Sequence, residues 1–152
     1  MSKPNPHLHD PEGIQHVFEQ AILLRIACLD GDTPYIVPVN FGYRDGYLYF
    51  HSSKTGKKIA CLRKNNRVGF QADCHTELIV KQDPCKATMH YHSVSGHGTV
   101  SFINDPAEKR LGMRSILEQD GITGMEINEE VLQKTEILRI DMLECTYKQS
   151  PV

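Results

Sequence analysis

The sequence predicts an α+β fold: an antiparallel β-barrel with helices on its outside. Three observations predict it. Short stretches of alternating apolar and polar residues recur along most of the chain; tight-turn signals such as Asp30-Gly31-Asp32 and Asp45-Gly46 separate them; and only three stretches have helical spacing, too few for a βαβ repeat. Closing such a sheet into a barrel removes edges that would otherwise pair with other chains.

The elements follow in order. Residues 1–9, with two prolines and two histidines, read as a flexible lead, and residues 10–152 as one domain. Asp10-Pro11-Glu12 supplies a capping carboxylate and a first-turn proline for a helix to about Gln20. Ala21 to Leu29 is apolar and strand-like, and Pro34 to Tyr43 alternates through Ile36, Val37, Val39 and Phe41. Tyr47 to Phe50 forms the third strand. Lys57 to Lys64 has helical spacing at Ile59, Ala60, Cys61 and Leu62, ended by Asn65-Asn66. Val68 to Ala72 and Glu77 to Lys81 read as two further strands. Tyr91 to Ile103 is a long strand bent at Gly96 and Gly98, where missing side chains permit a bulge or close contact. Asn104-Asp105-Pro106 caps a helix to about Gln119. The last strand, Glu136 to Lys148, alternates through Leu138, Ile140 and Met142, then shifts phase to Leu143, Cys145 and Tyr147.

With 152 residues, 39% of them hydrophobic and 24% charged, the chain matches ordinary globular composition, which argues against disorder and fibrous structure. Apolar runs are far shorter than the roughly 20 residues of a membrane span, so no membrane partner is expected. The N-terminal residues have no apolar segment of the signal-peptide kind, which points to the cytoplasm. Five cysteines at irregular spacing, with no C-x-x-C pair, predict reduced thiols packed as small hydrophobes. A net charge of -2 argues against nucleic acid as a partner.

Charge is nevertheless concentrated. Between Gly46 and Ala72 lie Lys54, Lys57, Lys58, Arg63, Lys64 and Arg67 with no acidic residue, while the remainder of the chain sums to -8. His51-Ser52-Ser53-Lys54-Thr55-Gly56-Lys57-Lys58 runs from a strand into a helix. Lysines in the first turn of a helix oppose its dipole by a few tenths of a kcal/mol each. An anion at that terminus resolves the conflict, gathering Lys57, Lys58, free helix N–H groups and the hydroxyls of Ser52, Ser53 and Thr55. The motif is not a P-loop, since G-x-x-x-x-G-K-[ST] is absent.

The segments Pro34 to Tyr43, Asp45 to Ser52, Gly56-Lys57-Lys58, Asn66 to Phe70 and Thr88 to Gly98 together resemble the pyridoxamine 5'-phosphate oxidase-like family of flavin-binding split barrels, over about residues 12 to 148. The match is nearest to its nitroimidazole-resistance (Nim-type) branch. The resemblance implies a homodimer with flavin mononucleotide (FMN; FAD is the alternative) at the subunit interface. The expected function is two-electron transfer to a small acceptor such as a nitroaromatic or quinone, with NADH or NADPH as the possible donor, although no G-x-G-x-x-G nicotinamide fingerprint is present. It implies that Val37, Pro38, Val39 and Asn40 run beside the isoalloxazine and meet its polar edge through backbone groups. Phe50, His51 and Ser52 then lead toward the ribityl chain, Lys57 and Lys58 hold the phosphate, and Tyr91 and Ser93 approach from the later strand; Ser53, at the anion site, completes the cofactor-binding set. His51 is the catalytic candidate, because an imidazole can supply a proton or stabilise a reduced, anionic flavin. The alternative is a flavin- or haem-binding module without turnover. The Arg-x-His pair with which family oxidases grip vitamin B6 phosphates has no counterpart in Thr146 to Val152. His90 and His92 share a strand face, with His97 nearby, but no set of three or four ligands is signalled, and no metal is expected.

Overall fold

Residues 7–151 are described by this computed structural model, with side chains from Leu8 onward. Their elements are β1 (His7–His9), α1 (Pro11–Gln20), β2 (Leu24–Asp30), β3 (Thr33–Val39), β4 (Phe41–Arg44), β5 (Tyr47–Ser53), α2 (Lys57–Lys64), β6 (Arg67–Ile79), a 3-10 turn (Pro84–Lys86), β7 (Thr88–Phe102), α3 (Pro106–Gln119), α4 (Glu129–Lys134) and β8 (Thr135–Ser150). The structure is α+β, as expected. Part of the expected lead is ordered: β1 pairs in parallel with Glu144 to Thr146 of β8, while residues 1–6 lie outside the described residues.

The strands form one sheet in the order β3-β2-β6-β7-β8-β5-β4, with each neighbouring pair antiparallel. The path is open, which corrects the expectation of closure. Pro34 to Tyr43, read from sequence as one strand, divides at Asn40: Val39 pairs with Leu24 of β2, whereas Phe41 pairs with Phe50 of β5. The chain thus steps from one end of the sheet to the other within three residues, and the two ends do not pair. The alternation of apolar residues is unchanged through Asn40, so periodicity alone cannot reveal the break.

Each element forms for a local reason. Asp10 accepts a hydrogen bond from the Gly13 amide at 3.0 Å, Pro11 occupies the first turn of α1, and Ile14, Val17 and Phe18 make its buried stripe. Ala21 belongs to this helix end, its N–H donating to the Val17 carbonyl, so β2 starts three residues later than its apolar pattern suggests. Pro34 and Pro38 are accommodated on β3 because it pairs with β2 alone. The two strands expected at 68–72 and 77–81 are one, β6, interrupted by a bulge between Cys74 and Glu77, where His75 has φ 53°. The expected phase shift in β8 is a second bulge: His97 pairs with Glu144 and Gly98 with Met142, leaving Leu143 unpaired and exposed. A Cβ on Gly98 would stand 2.2 Å from the Asp141 carbonyl and one on Gly96 2.1 Å from that of Glu144, so β8 can approach only glycine here.

Two apolar cores lie on opposite faces of β5. Leu48 and Phe50 face the barrel interior with Leu24, Ile26, Phe70, Leu138 and Ile140. Phe18 meets Phe41, Tyr43 and Phe70 at ring separations of 6.4, 5.1 and 6.2 Å, so α1 ties β4 to β6. Tyr49 faces outward with Ile137 onto α3 and α4, against Met113, Ile116 and Leu132. Burying each large side chain contributes about 1.5–3 kcal/mol. Among the described residues no helix is long and apolar enough to cross a membrane.

Candidate functional site

The β5–α2 junction lies beside the open seam. β5 sends Phe50 inward, His51 outward, Ser52 inward and Ser53 outward, by ordinary strand alternation. The loop that follows is held by the Ser53 hydroxyl, which donates to the Thr55 carbonyl at 2.6 Å. α2 starts after Gly56 (φ 120°) with no side-chain cap and no acidic residue in its first turn, leaving its first amides to another acceptor. Ile59, Cys61 and Leu62 fasten the helix to the core and fix where those amides point.

Lys57 and Lys58 diverge, because successive helical residues are about 100° apart. The Lys57 ammonium is 3.3 Å from the Asp30 carboxylate and 4.4 Å from the Tyr35 ring centroid. Lys58 is half-buried, with its ammonium 6.0 Å from the Phe50 ring, and burial lowers its pKa from the usual lysine value. The His51 pKa lies below 6.5: surrounding protein atoms disfavour its charge, the Lys58 ammonium adds to this, and the Asp120 carboxylate opposes both. These surroundings favour the neutral imidazole, although the ring meets solvent. Asp120, at the end of α3, accepts a hydrogen bond at 3.1 Å from the Asn40 side chain, which sits at the corner between β3 and β4. Asn40, His51, Lys58 and the free edge of β3 thus border one region, which offers a neutral imidazole, one desolvated cation, uncapped amides and unpaired strand backbone. Such a donor set fits a phosphate ester with a planar polar head.

The other expected residues are placed differently. Phe50 is wholly buried in the barrel core and Val39 is 6% exposed, so neither side chain can touch a ligand and only their backbone is available. Ser52 is buried, Val37 is half-buried and Pro38 is exposed. Tyr91 and Ser93 are remote within the same chain. On β8, Ser93 pairs with Lys148 and Tyr91 with Ser150, whereas His51 pairs with Ile137; the eleven residues from Ile137 to Lys148 correspond to roughly 35 Å of strand. Asp30 and Asp120 were not foreseen. Neither carries a motif, and each reaches the site through contacts between residues far apart in sequence.

Comparison with known proteins agrees with this architecture. The family model described as pyridoxamine 5'-phosphate oxidase matches residues 10–149. Among solved structures, a protein described as a 5-nitroimidazole antibiotic resistance protein from Bacteroides thetaiotaomicron superposes with a TM-score of 0.80 at 27% identity, over 90% of this chain and 81% of that one. An FAD and haem binding protein from Mycobacterium smegmatis gives 0.80 at 16% identity, over 94% and 72%. An FAD-binding protein from Mesorhizobium loti gives 0.67 at 23% identity, over 93% and 95%. Among curated proteins, none matches. With nearly the whole chain covered by one family model and the same open barrel in its structural neighbours, the protein belongs to the pyridoxamine 5'-phosphate oxidase-like split-barrel family.

Proposed function

We propose that the protein binds FMN between two copies of the chain and passes electron pairs from NADH or NADPH to a small acceptor, such as a nitroaromatic or a quinone. The observation that carries this reading is the uncapped α2 terminus beside Lys58 and His51, next to the unpaired edge of β3. The α2 amides and Lys58 hold the phosphate, and the β3 edge from Val37 to Asn40 meets the polar rim of the ring system. FAD fits the same scheme with its pyrophosphate at that terminus. When bound, the flavin supplies the two-electron chemistry. His51, kept neutral by its surroundings, can donate one ring hydrogen bond and accept another, and a nearby negative charge would raise its proton affinity.

Two copies are needed if Tyr91 and Ser93 are to reach the same flavin, since one chain keeps them a long strand away from His51. Apolar exposure supports the pairing: Ile36 on β3 is 64% exposed, and the cross-strand pair Leu78 and Met89 is 61% and 43% exposed.

Purified protein should be yellow and release FMN on denaturation, and anaerobic NADH or NADPH should bleach it, with colour returning on addition of a nitroaromatic. Colourless protein that takes up neither FMN nor FAD refutes the reading. Flavin that is held but not reduced supports instead a carrier without turnover, a reading in keeping with the FAD and haem binding protein that shares this fold.

A further inference from the structure

At the other end of the long β6–β7 hairpin, three histidines and a cysteine from separate parts of the sequence converge. His16 on α1, Cys74 and His75 on β6 offer one ligand atom each, all within 4.8 Å of one another. The His16 and His75 rings are stacked, 5.2 Å apart and 9° from parallel. His92 on β7 stands edge-on to both, at 5.7 and 5.6 Å.

The backbone is shaped to bring these groups together. Successive strand residues point to opposite faces, so Cys74 and His75 would ordinarily face apart. The bulge between Cys74 and Glu77, with His75 at φ 53°, re-aims His75 toward the thiol. That φ is uncommon for a residue with a Cβ. On the facing helix, a Cβ at Gly13 would stand 2.6 Å from the Tyr147 ring, so only glycine lets α1 come this close to β8. His16 is three residues further on and shares that face of α1. The Tyr147 hydroxyl lies 2.6 Å from His92 Nδ1 and donates to Gln149 Oε1 at 3.4 Å. In the tautomer that carries its proton on Nδ1, His92 donates to the Tyr147 oxygen, and Nε2 keeps its lone pair for a metal.

We infer that His16, Cys74 and His75 form a site for a divalent transition-metal ion of the zinc class, with His92 as the nearest fourth donor. Imidazole and thiolate are the ligands such ions select over magnesium and calcium. Zn–S of about 2.3 Å and Zn–N of about 2.0–2.1 Å place tetrahedral ligand atoms roughly 3.3–3.6 Å apart. The three atoms, all within 4.8 Å of one another, lie close enough for rotation of the two exposed imidazoles to bring them to that spacing. On binding, the Cys74 S–H bond breaks, its proton passes to water and a sulfur–metal bond forms, with no change of oxidation state. Cys74 and His75 also line a solvent cleft of about 300 Å³ with Arg25 and Asp73, which gives the ion a way in. Three convergent ligand atoms with a fourth imidazole beside them suit one ion better than a haem, which needs a broad slot between axial ligands.

The test is titration of chelator-treated protein with Co2+, then with Zn2+ in competition. The expected result is one Co2+ per chain with thiolate-to-cobalt charge-transfer absorption, lost when Zn2+ displaces it. Cys74→Ser should abolish that absorption. His16→Gln, on an exposed helix position, should weaken binding by more than about 10-fold, and His92→Gln by about 10-fold. His90→Gln and Cys85→Ser should leave binding unchanged. Circular dichroism and thermal melts establish that each variant is folded, and flavin content should not change in any of them. Absence of the charge-transfer band at one equivalent, its survival in Cys74→Ser or its loss in Cys85→Ser overturns the assignment. So does binding of haemin that depends on His16 while Co2+ does not bind.

Discussion

Lys57 and Lys58 have equivalent positions in the sequence pattern and different ones in the structure, so their separate removal tests the proposed phosphate site. Lys58 is half-buried, close enough to His51 to depress its pKa, and has no ion-pair partner among the described residues. A charge-assisted contact to phosphate is worth about 1.5–3 kcal/mol. Lys58→Ala should therefore weaken FMN binding about 10- to 150-fold, at 1.36 kcal/mol per decade. Lys57 is already 3.3 Å from Asp30, with both side chains more than half exposed. Turned to Asp30, it keeps only an exposed, solvent-screened attraction to the phosphate, worth about 0–1 kcal/mol as for other exposed charge pairs, so Lys57→Ala should cost no more than about fivefold. Asp30→Asn, which releases Lys57, should tighten binding slightly. Quenching of FMN fluorescence during titration measures all three. A larger loss in Lys57→Ala than in Lys58→Ala, or no loss in either, would refute the placement of the phosphate.

Three other perturbations probe the scaffold. A Cβ at Gly42 would lie 2.3 Å from the Ser115 carbonyl carbon and 2.6 Å from the Ile116 amide nitrogen, so Gly42→Ala must push α3 off β4; a loss of about 3 kcal/mol, read as a Tm lower by about 6–12 °C, is expected. Arg139 bonds Asp141 and Glu108 at 2.6 Å each, while the Tyr49 hydroxyl donates to Glu108 at 3.3 Å, and burial beside Glu108 pushes the Tyr49 pKa up to about 12. With these side chains only about a fifth exposed, Arg139→Met should cost about 2 kcal/mol in urea denaturation, and a cost under about 0.5 kcal/mol would show that the network contributes little. The His51 pKa is lower folded than unfolded, so its contribution to stability is full above pH 6.5 and is lost as pH falls through the folded value. Between about pH 7.5 and 5 the wild-type Tm should thus fall more steeply than that of His51→Gln; parallel profiles would contradict the lowered pKa.

Much of this was legible in local sequence. The cap and buried stripe of α1, the span of α2, the bulge in β8 and the close approach at Gly96 and Gly98 each follow from a few neighbouring residues, because each is decided by local sterics or by a hydrogen bond across three or four positions. The division at Asn40 was not legible. An edge strand and its continuation show the same apolar alternation whether they stay in one ladder or part to opposite ends of a sheet. Nor could spacing show that Asp30 occupies Lys57, that Asp120 faces His51, or that His16 meets Cys74 and His75 from 58 residues away; those pairings depend on helix packing and on a bulge that breaks alternation.

The basic, hydroxyl-rich junction between a strand and a helix was thus determined by sequence alone, as was the α+β character of the chain, since both rest on short-range order. Tertiary structure decided which lysine of that junction is free, that the sheet stays open beside it, and that Tyr91 and Ser93 cannot reach it within one chain. The physical reason is the same in each case: charge pairing, strand order and distance are set by residues far apart in sequence, and only the folded chain brings them together.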